Sequence, residues 1–384
     1  MYPTISDLLN DLFGINIPLP IQSFGFMMAM AFLAAAYTLS LELKRLEGLG
    51  KISSHKMKVQ VGLPASITEL ITAGIIWFLI GYKIVFAALN YQEFVGDTQG
   101  FLLSAKGSLL GGIALGVIAA YLRYREKEKQ KLEKPEWREE IVRPYQLVGN
   151  LTITAAVGGI LGAKIFHNLE NLDEFFADPV GSLISFSGLT MYGGLIVGGI
   201  AVLWYGKKKG IPMGHLSDAA APGLMLAYGI GRIGCQVAGD GDWGIVNTTP
   251  NPFSLLPDWA WSYNYPHNVN SVGIPIPGCE GSHCMMLPEA VYPTPLYESI
   301  ACIMLFSVLW GLRKRIIIPG MLFFVYLVLN GFERFWIEKI RVNTKYIIFG
   351  NEITQAEIIS TLLVISGLVG IYILRKRNKS DSPK

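Results

Sequence analysis

Residues 216–244 read LSDAAAPGLMLAYGIGRIGCQVAGDGDWG and join an apolar stretch to a glycine-rich polar one. The part from 216 to 236 is long and apolar enough to cross a membrane, since a span needs about 20 mostly apolar residues. It nevertheless carries Asp218 and Arg232. Ionisable groups inside a membrane are costly and usually face a polar interior. The segment therefore predicts a membrane helix that ends at a polar site.

The rest of the chain has the composition of a membrane protein. Of its 384 residues, 51% are hydrophobic and 16% are charged, which is less charge than soluble domains carry. We predict an all-α, polytopic membrane helix bundle that forms a single integral membrane domain over residues 1–384. About nine transmembrane helices are expected, at 20–41, 67–90, 102–124, 147–167, 185–205, 216–236, 296–313, 319–337 and 355–375.

Charged residues between these stretches predict the orientation of the chain. The loops after the first, third, fifth, seventh and ninth stretches are basic, as at Lys44, Arg123 and Lys207. The alternate loops are acidic or mixed, as at Asp97. Because basic loops stay in the cytoplasm, we expect the N-terminus outside and the C-terminus in the cytoplasm. Residues 237–295 are then an extracytoplasmic loop.

Cysteines in this loop leave two alternatives open. Cys279 and Cys284 form a disulfide if the loop faces an oxidising compartment, or they are two unpaired thiols. His267 and His283 lie nearby, but their spacing from the cysteines is irregular for a metal site. We expect no metal and no soluble cofactor.

An internal repeat relates residues 81–116 to residues 162–198. Lys83 matches Lys164, and the paired glycines 111–112 match 193–194. Both copies have the same predicted orientation, so the pattern indicates either a parallel duplication or convergent membrane composition. We interpret residues 60–145 as an extra two-helix insertion that repeats 150–208. The first copy has Leu110 where the second has Tyr192, and we expect the first to be scaffold.

Four motifs occur in an order typical of one known family. They are GRIGCQVAGDGDWG at 231–244, MYGGLI at 191–196, YPTPLYE at 292–298 and GFERFWIEKIR at 331–341. Together they resemble the motifs of prolipoprotein diacylglyceryl transferases. The resemblance implies transfer of a diacylglyceryl group from phosphatidylglycerol to the lipobox cysteine thiol of a prolipoprotein, which is the first step of lipoprotein maturation. It also implies a location in the bacterial inner membrane.

The implied partners are phosphatidylglycerol, membrane lipid and the prolipoprotein signal peptide, and no nucleic acid. Arg232, Arg334 and Arg341 are expected to bind the phosphate, because guanidinium groups bind phosphate oxygens with two parallel hydrogen bonds. The alternative is that they reach towards lipid phosphates at the interface. Arg334, Glu338 and Arg341 are spaced for one helix face. Glu298 either pairs with an arginine or, as a negative charge near the start of its helix, interacts favourably with the helix dipole.

The remaining predicted site residues are glycines and proton-handling groups. Gly234 and Gly239 permit tight turns, and Gly193 and Gly194 allow close helix packing or make room for acyl chains. Tyr192 stands at the family's histidine and Asp240 at its glutamate, and we expect these two to handle protons.

Departures from the family motifs leave two other functions open. Cys235 and Ala238 replace the two asparagines of the family motif, and Tyr192 replaces a histidine, which is a better base near neutral pH. The chain is then either an active transferase or a catalytically inactive membrane paralogue that binds lipid or lipoprotein. A transporter is a third alternative, which the predicted position of the charged groups at one face disfavours.

Overall fold

The computed structural model describes residues 1–15, 21–96, 100–101, 104–184, 190–348 and 350–380. Residues 102 and 185, where two predicted spans begin, lie outside these ranges, as do residue 20 and Asp97. The chain divides into two compact units. The first unit comprises Met1–Pro3, Gln22–His55 and Val142–Lys384, and the second comprises Thr4–Ile21 and Lys56–Ile141.

Helices dominate both units. In chain order they are α1 (Ile5–Phe13), α2 (Ser23–Gly48), α3 (Ile67–Leu89), α4 (Tyr91–Gly96), α5 (Leu109–Gln130), α6 (Val148–Glu170), α7 (Leu172–Ala177), α8 (Pro179–Ile184), α9 (Met191–Lys208), α10 (Met213–Ala238), α11 (Thr294–Leu312), α12 (Met321–Glu338) and α13 (Gln355–Ser380). Six strands form three two-stranded sheets that the sequence analysis did not predict. They are β1 (His55–Val61) with β2 (Glu136–Val142), β3 (Ile274–Pro275) with β4 (Met285–Met286), and β5 (Lys345–Ile348) with β6 (Asn351–Thr354).

Several helices have the length and apolar composition of membrane spans. Among the described residues these are Ser23–Gly48, Ile67–Leu89, Pro144–Glu170, Thr294–Leu312 and Gln355–Lys379. The chain is a multi-pass membrane protein, as predicted. The four other predicted spans also contain helices, α5, α9, α10 and α12, but each of these has charged residues within it or at its end. The number of spans and their orientation stay predictions.

The first unit has two apolar cores that share α10. One joins α2, α6 and α10 through the fully buried Leu43, Leu151 and Leu216. The other joins α10 to α11 and α12, and Met225 and Leu309 lie within it with almost no exposed surface. Because α10 contacts both cores, the position of its last turn is fixed relative to the starts and ends of its neighbours.

The two hairpins α3–α5 and α6–α9 pack through matched glycines. A Cβ atom on Gly81 would lie 2.5 Å from the carbonyl oxygen of Gly111, and one on Gly162 would lie 2.4 Å from that of Gly193. Any larger residue would push the helices apart. The corresponding glycines of the two repeat copies therefore make the same close helix contact. The duplication itself stays a prediction.

Candidate active site

Three arginines and four carboxylates meet where α10 ends, α11 begins and α12 ends. All belong to the first unit, and the three arginines form ion pairs across these elements with Asp242 or Glu298. The cluster consists of Arg232 on α10, Asp240 and Asp242 after it, Glu298 on α11, Arg334 and Glu338 on α12, and Arg341 in the following loop.

Glu298 lies at the centre of this cluster and is completely buried. Its Oε2 atom is 2.6 Å from Nε of Arg232, and its Oε1 atom is 2.6 Å from Nη1 of Arg341. Arg334 approaches more loosely, with Nη1 3.7 Å from Oε1. Tyr228, which the sequence analysis missed, donates its hydroxyl to Oε2 at 2.7 Å. One carboxylate thus orients two guanidinium groups and lies near a third.

Asp242 forms the outer side of the cluster. Both Arg232 and Arg341 donate to its carboxylate, and the hydroxyl of Thr294 donates to its backbone oxygen at 2.7 Å. Burial acts to raise the pKa of Asp242, but the two guanidinium groups outweigh burial and hold that pKa below its usual range. Its side chain is 32% exposed, whereas that of Arg341 is 6% exposed. The cluster is therefore most accessible from the side of Asp242.

The prediction that Arg334, Glu338 and Arg341 share one helix face is wrong for Arg341. Helix α12 ends at Glu338, and Arg341 instead forms a β-bridge with Gly244 in the loop after α10. A Cβ atom on Gly244 would lie 2.5 Å from the carbonyl oxygen of Ile340, so the bridge requires glycine there. Arg334 and Glu338 do pair on α12, with Nη2 and Oε2 3.0 Å apart.

Two guanidinium nitrogens of the cluster have no hydrogen-bond partner within the described ranges. They are Nη1 of Arg334 and Nε of Arg341, and both are buried. The 3.7 Å between Arg334 and Glu298 is too long for a hydrogen bond. A buried charged donor without a partner costs free energy. An anionic ligand that reached these nitrogens would remove that cost.

Asp242, and not Asp240, accepts the hydrogen bonds of the arginines. Gly241 adopts a φ of +97°, which turns the chain between the two aspartates. Asp240 accepts a hydrogen bond from the backbone of Asp242 at 3.3 Å, and burial raises the pKa of Asp240. Cys235, Asp240 and Asp242 have potential metal-ligand atoms within 4.8 Å of one another. Two arginines already neutralise Asp242, which leaves little attraction for a metal ion.

Tyr192 and the four predicted glycines lie in or at the ends of helices. No hydrogen bond joins the Tyr192 hydroxyl to another described residue. Gly193 and Gly194 face α6, and Gly234 faces α2, where a Cβ atom would lie 2.9 Å from the nearest side-chain atom. Gly239 ends α10 with a φ of +66°. These glycines permit close packing and a turn, and their contact with substrate stays a prediction.

The loop from 239 to 293 is ordered by its own contacts. Cys279 and Cys284 form a disulfide, which decides between the two alternatives left by the sequence. Tyr265 is completely buried and donates to Oε1 of Gln236 on α10 at 2.8 Å. The loop is thereby attached to the last turn of α10, beside the cluster.

These features define a multi-pass membrane protein with a buried arginine–carboxylate site where three helices begin or end. The sequence profile of the family described as prolipoprotein diacylglyceryl transferase matches residues 112–373. The chain belongs to this family.

Three relatives illustrate the degree of similarity. All are named phosphatidylglycerol–prolipoprotein diacylglyceryl transferase. The protein of Corynebacterium glutamicum is 28% identical over 269 residues, covering 69% of this chain and 78% of the relative. That of Corynebacterium diphtheriae is 30% identical over 62% of this chain and 80% of its own length. That of Leptospira interrogans is 30% identical over 59% of this chain and 68% of its own length.

Proposed function

We propose that the chain transfers a diacylglyceryl group from phosphatidylglycerol to the lipobox cysteine thiol of a prolipoprotein. Membership of the family and the names of the relatives support this activity. The observation that supports this site is a pair of buried guanidinium nitrogens, on Arg334 and Arg341, from which no described residue accepts a hydrogen bond. A headgroup phosphate has the charge and the acceptor oxygens that these donors require.

The phosphate of phosphatidylglycerol binds between Arg334 and Arg341 and enters from the side of Asp242. Glu298 and Asp242 hold the arginines before the lipid arrives. Such pre-organised donors need little rearrangement when charge develops in the transition state. Arg232 shares both carboxylates and completes the positive surface.

In the reaction, the thiolate of the lipobox cysteine attacks the diacylglyceryl carbon that carries the phosphate ester oxygen. A C–S bond forms, the C–O bond breaks, and glycerol phosphate leaves with the electron pair. The leaving group gains negative charge, which the arginines stabilise. Asp240, whose pKa burial raises, protonates the departing phosphate. Tyr192 donates a hydrogen bond to the reacting groups.

The finer topology forms part of the same proposal. The chain crosses the bacterial inner membrane about nine times, with its N-terminus outside and its C-terminus in the cytoplasm. The loop at 237–295 is extracytoplasmic and contacts the incoming signal peptide. Disulfides persist in oxidising compartments, so the bridge between Cys279 and Cys284 favours this side. Residues 60–145 are an insertion, and Gly193 and Gly194 leave room for acyl chains.

Complementation tests the proposal. A bacterial host is depleted of its own transferase, the chain is expressed, and thioether-lipidated precursor is measured by mass spectrometry. We expect rescue by the unaltered chain and loss of rescue with Arg232→Ala. Arg138→Ala is the matched control, because Arg138 is 62% exposed and lies in the second unit. Failure of the unaltered chain to lipidate any precursor contradicts the proposed function, and rescue by Arg232→Ala removes that residue from the site.

A further inference from the structure

Helices α11 and α12 enclose a groove of about 420 Å³ beside the arginine cluster. Ala301 and Met304 of α11 and Phe332 and Trp336 of α12 form apolar walls. Tyr297 and Glu333 also line it. Tyr297 immediately precedes Glu298, and Glu333 immediately precedes Arg334. The groove and the cluster therefore lie on neighbouring faces of the same two helices.

Glu333 is the unusual member of this lining. Both of its carboxylate oxygens are shielded from solvent, and neither has a hydrogen-bond partner in the part of the chain that the structure describes. A carboxylate within a membrane helix is costly unless something compensates it. Adjacent Arg334 does not bond to it, because that guanidinium is directed to Glu338 and Glu298. Glu333 thus has acceptor oxygens that no described residue uses.

The charged and titratable groups that interact electrostatically with Glu333 lie on three helices and one loop. They are Arg334 on its own helix, Glu298 and Cys302 on α11, Tyr228 and Arg232 on α10, and Arg341 in the loop after α12. The positive groups among them form the proposed phosphate site. A substrate atom that hydrogen-bonds to Glu333 would therefore lie close to the bound phosphate ester.

We propose that Glu333 accepts the proton of the substrate thiol, which reaches the site from the bilayer through the groove between α11 and α12. This inference rests on the proposed function. The S–H bond breaks and its proton moves to a Glu333 oxygen. The thiolate electron pair then forms the C–S bond, and the electrons of the broken C–O bond leave with glycerol phosphate.

The chemistry of the groove suits a thiol-bearing peptide. A cysteine side chain behaves as a small apolar group with a weak S–H donor, so apolar walls admit it. Asp242 and Glu298 are poor alternatives as bases, because their oxygens already accept from two or more arginines. Among the described residues, neither oxygen of Glu333 has any hydrogen-bond partner, whereas Asp240 accepts from the backbone of Asp242.

The test uses the full-length chain in vesicles that contain phosphatidylglycerol, with a synthetic peptide that carries one lipobox cysteine. For Glu333→Gln we expect kcat at pH 7 to fall by about 10²–10⁴-fold, the usual contribution of general acid–base catalysis. The KM for phosphatidylglycerol should change little. The loss should shrink above about pH 8.5, where the thiol ionises without help. A purely structural role would not produce this recovery.

Two further variants keep the inference falsifiable if Glu333→Gln does not fold. Glu333→Asp keeps the carboxylate and should retain measurable activity with the ordinary pH profile. Ala301→Phe fills the groove and should raise the KM for the peptide while binding of phosphatidylglycerol stays unchanged. Glu352→Gln is the matched control, since Glu352 is 66% exposed.

The outcomes separate this inference from the proposed function. If the unaltered chain forms no thioether peptide, the proposed function fails. If the unaltered chain is active and Glu333→Gln has the same rate and pH profile, only the role of Glu333 fails. A loss that is equal at every pH also overturns proton transfer, because base removal must matter less once the thiol is ionised.

Discussion

Two buried ion clusters lie at opposite ends of α11 and differ in how completely their polar atoms are paired. One is the active-site cluster around Glu298. The other is centred on Glu42, which is 2% exposed and accepts from Nε of Arg45 and Nε of Arg313, each at 2.9 Å. Arg313 also stacks on the ring of Trp310, with its guanidinium carbon 3.3 Å from the ring centre.

This difference in hydrogen bonding indicates that one cluster is structural and that the other binds a ligand. Among the described residues, every buried side-chain nitrogen or oxygen of Glu42, Arg45 and Arg313 has a hydrogen-bond partner. One buried nitrogen of Arg334 and one of Arg341 have none. Native proteins pair nearly all buried polar atoms, so the exceptions need an explanation. The Glu42 cluster holds α2 against the end of α11. The Glu298 cluster keeps donors available for an anion.

Of the variants that test this comparison, Arg341→Ala should have the largest effect, a loss of activity. Removing one pre-organised donor to developing charge typically lowers kcat by about 10²–10³-fold. Arg341→Lys should fall between the alanine variant and the unaltered chain, because lysine keeps the charge but lacks the planar fork. The rate of thioether formation in phosphatidylglycerol vesicles measures both variants.

The matched variant at the other end of α11 is Arg313→Ala. It should lower the melting temperature, because Glu42 and Trp310 lose a partner, while kcat of the folded fraction stays unchanged. Equal losses of kcat in Arg341→Ala and Arg313→Ala would show that the comparison between the clusters is mistaken.

Glu42→Gln should have the next largest effect, and it should be confined to stability. The substitution leaves Arg45 and Arg313 without their shared carboxylate. Breaking a buried ion pair in this way costs about 3–5 kcal/mol of unfolding free energy. Thermal unfolding in detergent measures the change, with Glu47→Gln, on the same helix, as the control. A lower kcat with an unchanged melting temperature would contradict a structural role for Glu42.

The smallest expected effect concerns acid stability. The pKa of Asp242 is held below its usual value, so its contribution to stability is present above about pH 3.9. That contribution is lost as the pH falls through the lowered pKa of the folded state. Between about pH 5 and pH 2, the melting temperature should therefore fall less steeply in Asp242→Asn than in the unaltered chain. Identical slopes would show that Asp242 does not stabilise the folded cluster.

The membrane class, the family and most of the charged site residues follow from the amino-acid sequence alone. Long apolar runs predict helices because every backbone group in a bilayer must be paired within its segment. Arg232, Glu298 and Arg334 were found because they lie in short motifs, and a motif requires only local order along the chain. The same reasoning placed the matched glycines of the two hairpins at close helix contacts.

The pairing of the charged groups among the described residues follows from the folded structure and not from the sequence. Helix α12 ends at Glu338, so Arg341 does not lie on the expected helix face, and Asp242, which follows the turn at Gly241, accepts from the arginines. The hydrogen bond from Tyr228 to Glu298 joins residues far apart in the chain, and only the folded structure shows that no described residue hydrogen-bonds to Glu333. The energy of an ion pair depends on the distance between its charged atoms, which is a few ångströms. Beyond the end of a helix, spacing along the sequence does not specify that distance.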